Sequence, residues 1–139
     1  MNSVHIEEAR AINHPFLRER EAKGKRPGAR AFLALIDGVE VGLLIFEHFS
    51  STSTGFVYEI YVLPEFRGMD VGNQLLLHAE AVALDSACQT LRLFARSLDQ
   101  EFINDESLMS WYGRKGFVRE ISPSDGMRKR LVTLSTTGG

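Results

Sequence analysis

The chain reads as an α/β (α+β) protein: a mixed, mostly antiparallel sheet of about six or seven strands flanked by helices, in the order β-α-β-β-β-α-β-α-β-β. Three observations predict it. Asp37-Gly38 separates two apolar strand-like runs, the signal of a two-residue hairpin, because both central residues need positive φ. After the long strand at 56–63, residues Val71, Leu75, Leu76, Ala79, Val82 and Ala83 share one face of a helix. A further strand at 90–95 follows. A strand, a helix and a strand make a βαβ unit, whose strands run parallel with a right-handed crossover.

The remaining elements follow from local signals. "SVHIEEA" (3–9) is a short first strand, and Pro15 limits a helix over 11–23 to starting near that position. "GKRPG" breaks the pattern with two glycines and a proline. "ARAFLALI" and "VEVGLLIFEHF" flank Asp37-Gly38, and "SSTSTG" (50–55) leads into "FVYEIYVL". "NDESLMSWYGRK" is a helix capped by Asn104 or Asp105 and stopped by Gly116. "FVREI", a "SPSDG" turn and "MRKRLVTL" form a closing hairpin, and "STTGG" is a frayed tail.

Length and composition place the chain in a class. With 139 residues, 44% apolar and 24% charged, it is one globular domain, residues 1–139. A net charge of −2 gives no basic bias toward nucleic acid. No apolar run approaches a membrane span, and "MNSVHIEEARAINHP" does not resemble a secretory leader. With Cys88 alone, no intrachain disulfide forms, which points to a reducing cytoplasm. Between Ala31 and Phe66 there is no Lys or Arg, while Asp37, Glu40, Glu47, Glu59 and Glu65 fall inside. This is either a set of half-buried strands with solvated acids or an acidic surface suited to a cationic substrate.

The loop "EFRGMDVG" (65–72) raises a different question, because neither Gly68 nor Gly72 favours the helix it introduces. A helix N-terminus offers unpaired N–H groups and the positive end of the macrodipole. Glycines there let phosphate oxygens reach the amides, and Arg67 adds a cation. The loop is neither a Walker A motif nor a Rossmann fingerprint. Two such glycines alone more often mark a tight turn.

"VLPEFRGMDVGNQLL" resembles the acetyl-CoA loop of the GNAT superfamily of N-acetyltransferases, Arg/Gln-x-x-Gly-x-Gly/Ala after a strand ending in Val-x-Pro. Val62 and Pro64 match the strand end. Arg67 and Gly72 match the first and last motif positions, and Gly68 is common at the second. Downstream, "WYGRKGF" fits Tyr-x-x-x-Gly-Phe with Tyr112, Gly116 and Phe117. The resemblance implies acetyl-CoA as co-substrate, bound by Arg67, Gly68, Met69, Asp70, Val71, Gly72 and Asn73, and by the backbone of Ile60 and Val62. It also implies an asparagine seven residues before the tyrosine. That position is Asp105 here, with Asn104 one residue earlier as the candidate contact. The middle loop glycine is replaced by Asp70, which tolerates left-handed φ but sets a carboxylate beside the expected pyrophosphate. As an N-cap it would compete for the same N–H groups. The family also places two helices between the first and second strands. Only about twenty residues are available here, so an open acceptor side, completed by a partner in a homodimer, is expected.

The implied reaction is direct acetyl transfer to a primary amine of a small molecule or protein. An alkylammonium of pKa about 10.4 must lose a proton, a developing oxyanion needs an N–H, and a departing thiolate needs a proton. Glu59 is the candidate base, or else an exposed strand glutamate; Glu47 is the fallback, and His48 has the opposite phase. Tyr112 is the candidate acid, or else a packing aromatic beside Trp111. The amides of Ile60 to Val62 are the oxyanion donors. His5, His14, His48, His78 and Cys88 have no metal-ligand spacing, so no metal is expected. A non-catalytic acyl-CoA-binding module on the same fold is the alternative, and Asp70 favours it.

Overall fold

The computed structural model describes residues 3–131. Strand β1 (Val4–Glu8) leads through helix α1 (Pro15–Gly24) to strands β2 (Arg30–Ile36), β3 (Val39–Phe49) and β4 (Thr54–Val62). Helix α2 (Val71–Asp85), strand β5 (Thr90–Phe94), helix α3 (Asp105–Arg114) and strands β6 (Val118–Arg119) and β7 (Gly126–Arg130) follow. The described strands form one sheet in the order β1-β2-β3-β4-β5-β7-β6. Among the described strands only the β4–β5 pair is parallel, as the βαβ reading expects. Residues 132–134 of the closing strand and the tail fall outside the described residues.

Local chemistry accounts for the boundaries. Asp37 and Gly38 both take positive φ (50° and 79°), which turns β2 into β3. Asn104 caps α3, its side-chain oxygen accepting from the Ser107 N–H at 2.8 Å. Gly116 takes φ 98° just past its end. Glu40 caps α1 from across the fold, accepting from the Asn13 and His14 N–H groups at 3.0 and 2.6 Å.

The sheet alternates, so it carries a core on each face. Phe32, Leu44, Phe46, Val57, Leu91 and Leu93 pack beneath Leu75, Leu76 and Ala79 of α2 and Met109 and Tyr112 of α3. Leu33, Leu43, Ile45, Tyr61 and Leu63 pack beneath Leu17 of α1. Gly42 lets α2 settle this closely: a Cβ there would lie 3.1 Å from both Val71 and Leu75 side chains and 3.0 Å from the Tyr61 carbonyl oxygen. Only α1 lies between β1 and β2, where the family resemblance implied two helices. Among the described residues no helix is long and apolar enough to cross a membrane, and no cluster of His, Cys, Asp and Glu could hold a metal ion.

Candidate active site

The site begins where two paired strands part. β4 and β5 stay in register only from Thr54–Thr90 to Val57–Leu93, although β4 runs on to Val62. On its other edge β4 remains paired with β3, with Tyr58 inserted as a bulge between Ile45–Glu59 and Phe46–Val57. The Leu63 N–H donates to the Val41 carbonyl at 2.9 Å, so the antiparallel alternation turns Tyr61 and Glu59 toward β3 as well. The backbone groups of Ile60 and Val62 therefore face the gap left by β5. An edge with unpaired groups is suited to an extended ligand chain. Of the expected oxyanion amides, Tyr61 is thereby withdrawn, leaving Ile60 and Val62.

The glycine loop closes one end of this gap. Gly68 takes φ 84° and Asp70 φ 67°, both left-handed, so aspartate occupies the turn position that the loop motif gives to glycine. Asp70 makes no side-chain cap. Its carboxylate instead accepts from the Gln74 side chain at 2.9 Å, one turn along α2. The expected competition for first-turn N–H groups does not occur. The Val71, Gly72 and Asn73 amides precede the first intrahelical bond, from the Gln74 N–H to the Asp70 carbonyl at 3.0 Å. They form the unpaired, electropositive end of α2. A Cβ on Gly72 would meet only the Val62 side chain, at an ordinary 3.8 Å. Packing therefore does not require glycine at 72, whereas a phosphate approaching those amides would favour it. The loop fits the diphosphate of acetyl-CoA on this ground.

Arg67 is not the free cation that the sequence suggests. Its Nε donates to the Val62 carbonyl at 3.1 Å and its Nη1 to Asp99 Oδ2 at 2.7 Å. The guanidinium also lies over the Phe102 ring, 4.5 Å from its centroid. It ties the end of β4 to the loop before α3, and it holds the Asp99 carboxyl below the usual carboxylate range. The Val71, Gly72 and Asn73 amides are left as the loop's unpaired donors.

The acidic strand residues are likewise engaged. Glu59 lies on the α1 face and is buried, 8% exposed. Arg20 of α1 holds it through Nε to Oε2 at 2.9 Å and Nη2 to Oε1 at 2.8 Å. Glu47 accepts from the Tyr58 hydroxyl at 2.8 Å. Burial, then that bond, pushes the Tyr58 phenol up to about 12. With Glu40 capping α1, three of the five acids serve the fold's own donors, so the acidic stretch is not an open cation-binding surface. His48 is exposed, on the phase opposite to Glu47.

Tyr112 stands on the other face, near the C-terminus of α3. It is buried, its ring edge-on to Trp111 and Phe117 at 5.0 and 5.5 Å. Burial raises its phenol well above the ordinary value, so it stays protonated. A cleft of about 550 Å³ brings together Glu59, Ile60, Val62, Arg67, Gly68, Asp70, Val71, Gly72, Asn73 and Tyr112. Met69, 40% exposed, and Asn104 are not among its lining residues. Asn104, expected as a cofactor contact, caps α3 through its side-chain oxygen. Arg20, Tyr58 and Asp99 escaped the sequence reading. Arg20 and Glu59 are 39 residues apart, and no spacing rule links them.

The comparisons identify the family and the fold. The model of the acetyltransferase (GNAT) family matches residues 3–104. An uncharacterized N-acetyltransferase of Archaeoglobus fulgidus is 31% identical over 94 residues, which is 59% of this chain and 64% of that protein. The IAA acetyltransferase of Bacillus cereus superposes with a TM-score of 0.68 at 19% identity, over 93% of this chain and 100% of that one. The PaiA N-acetyltransferase of Thermoplasma acidophilum, solved with coenzyme A, gives 0.59 at 21% identity, over 81% and 65%. At these identities the two structures show a shared fold. From the family match, with the parted strands and the glycine loop in place, the chain belongs to the acetyltransferase (GNAT) family.

Proposed function

We propose that this protein moves the acetyl group of acetyl-CoA directly to a primary amine of a small molecule or protein. The observation that carries the reading is the parting of β4 from β5 beside an uncapped α2 N-terminus whose Gly72 leaves space that the fold itself does not use. The α2 amides would hold the diphosphate, and the Ile60 and Val62 backbone would hold the pantetheine arm. Bound there, acetyl-CoA supplies an activated thioester. Glu59, or Glu47 through a water, takes the ammonium proton so that the nitrogen lone pair becomes available. The Ile60 and Val62 N–H groups stabilise charge developing on the carbonyl oxygen. The amine nitrogen would bond to the carbonyl carbon as the carbon–sulfur bond breaks, the Tyr112 hydroxyl giving a proton to the departing sulfur and being restored by the second proton that the nitrogen loses.

Titration calorimetry with acetyl-CoA, followed by free-thiol release in the presence of an amine panel, tests this. Binding together with amine-dependent thiol release supports the transferase. Binding with no release from any amine would favour the non-catalytic acyl-CoA module.

A further inference from the structure

Three aromatic rings carry the cleft onto the sheet face that α1 leaves open. Phe94 lies edge-on to Phe56, centroids 5.3 Å apart, and Phe56 lies 5.0 Å from Tyr58. Tyr58 and Phe94 line the same cleft as Gly72 and Tyr112, so the ladder starts where the strands part. α1 packs over β3, and Phe94 on β5 stays 47% exposed. A phenylalanine half in water beside two further rings is apolar surface that the fold does not use.

The charges around the ladder decide what can lie on it. The Glu47 carboxylate accepts from Tyr58, Glu59 from Arg20, and Glu120 from Arg92, the strand neighbour of Phe56. The Arg26 guanidinium lies over the Tyr58 ring, 5.0 Å from its centroid. Glu47's donor is a neutral phenol, but the three carboxylates face the guanidinium groups of Arg20, Arg26, Arg92 and Arg128, so the surroundings of the rings carry no excess of negative charge. A ligand with a second ammonium would find no surplus carboxylate to pair with. A flat apolar body would meet three rings.

Resting on the transferase reading, we propose that the acceptor is a primary amine with one aromatic or bulky apolar body and no second positive charge. The body lies along Phe94, Phe56 and Tyr58, and the amine enters the gap beside Glu59. This excludes polyamines as preferred acceptors.

The test compares phenethylamine, n-propylamine and spermidine in two measurements on the full chain. One is calorimetric binding with and without coenzyme A; the other is kcat/KM by free-thiol release. Phenethylamine should bind measurably and exceed both other amines by about tenfold or more in kcat/KM, the scale set by apolar pocket contacts. In Phe94→Ala the phenethylamine-to-propylamine ratio should fall toward one, with the melting temperature nearly unchanged. Preference for spermidine, or a ratio that Phe94→Ala leaves intact, overturns the inference. So does a protein that binds acetyl-CoA but not phenethylamine, and in that case the transferase reading survives. Failure to bind acetyl-CoA removes that reading, and this inference with it.

Discussion

Arg20 and Glu59 meet on one face of the sheet, through two hydrogen bonds of 2.9 and 2.8 Å, although α1 and β4 are far apart in the chain. The pair fixes the carboxylate at the parting of the strands, while each oxygen keeps a lone pair for another donor. Breaking a pair this buried destabilises the fold, so Glu59→Gln should cost about 2 kcal/mol or more. If Glu59 takes the acceptor proton, the same variant lowers kcat most near neutral pH and less as the amine approaches its own pKa of about 10.4. Arg20→Met breaks the pair but keeps the carboxylate, and should retain more activity. Equal losses in both variants with unchanged pH–rate profiles would leave Glu59 a structural role and direct attention to Glu47.

Gly72 separates stability from binding. It sits in the first turn of α2 with room for a Cβ, so Gly72→Ala should stabilise the fold by about 0.5–1 kcal/mol. Gly72→Val should abolish acetyl-CoA binding, because its branches occupy the space in front of the α2 amides. Calorimetry on a variant shown to be folded by circular dichroism reads this, and normal binding would refute the loop assignment.

Asp70 tests the charge at the same place. Asp70→Asn keeps a residue that tolerates left-handed φ and can still accept from Gln74, but removes the negative charge. Acetyl-CoA should bind more tightly, by up to about 1 kcal/mol. Asp70→Ala keeps the charge loss and adds left-handed strain of about 1–2 kcal/mol to the fold. Weaker binding by Asp70→Asn would show that the carboxylate supports the loop.

Tyr112→Phe should lower turnover by about 10²-fold or more, the scale of general-acid catalysis. The ring contacts with Trp111 and Phe117 survive the substitution, so the melting temperature should hold. Acetyl-CoA affinity should also hold, since the contacts proposed for the diphosphate and the pantetheine arm come from α2 and β4. Full activity with phenylalanine would assign Tyr112 to packing alone.

His78 gives the fold an acid-side weakness. Its Nε2 is buried with no hydrogen-bond partner among the described residues, and its ring stands edge-on to Phe32 at 4.7 Å. Burial, then the nearby Arg30 charge, holds its imidazole below the ordinary value. An unfolded imidazole binds its proton near pH 6.5, before the folded one does. The stabilisation is therefore full above about 6.5 and is lost as pH falls through the lower folded value. Urea unfolding at pH 7.5 and pH 5 should show a smaller difference for His78→Phe than for the parent chain. An identical difference would mean that other groups control the acid limb.

Elements whose information is local were legible in the sequence. Asp37-Gly38, the apolar face of α2, the Asn104 cap and Gly116 each act over a few residues, through φ preferences, helical spacing or a single hydrogen bond. The parallel pairing of β4 with β5 followed from chain connectivity. The loop from Arg67 to Asn73 stood out as a local anomaly, but its cofactor reading came from the resemblance to the family's loop, since two glycines alone more often mark a tight turn.

Tertiary structure decided where charge ends up. Composition showed an acidic stretch and a loop arginine, yet Glu40, Glu47, Glu59 and Arg67 each meet a partner brought from another element. Long side chains reach across the fold to whichever donor or acceptor is nearest, and a buried charge must find one. Such pairings have no period in the sequence. The sequence by itself determined the elements and the glycine turn before α2. Packing of α1 and the loop before α3 against β4 decided which charges hold the fold together and which rings remain to meet a ligand.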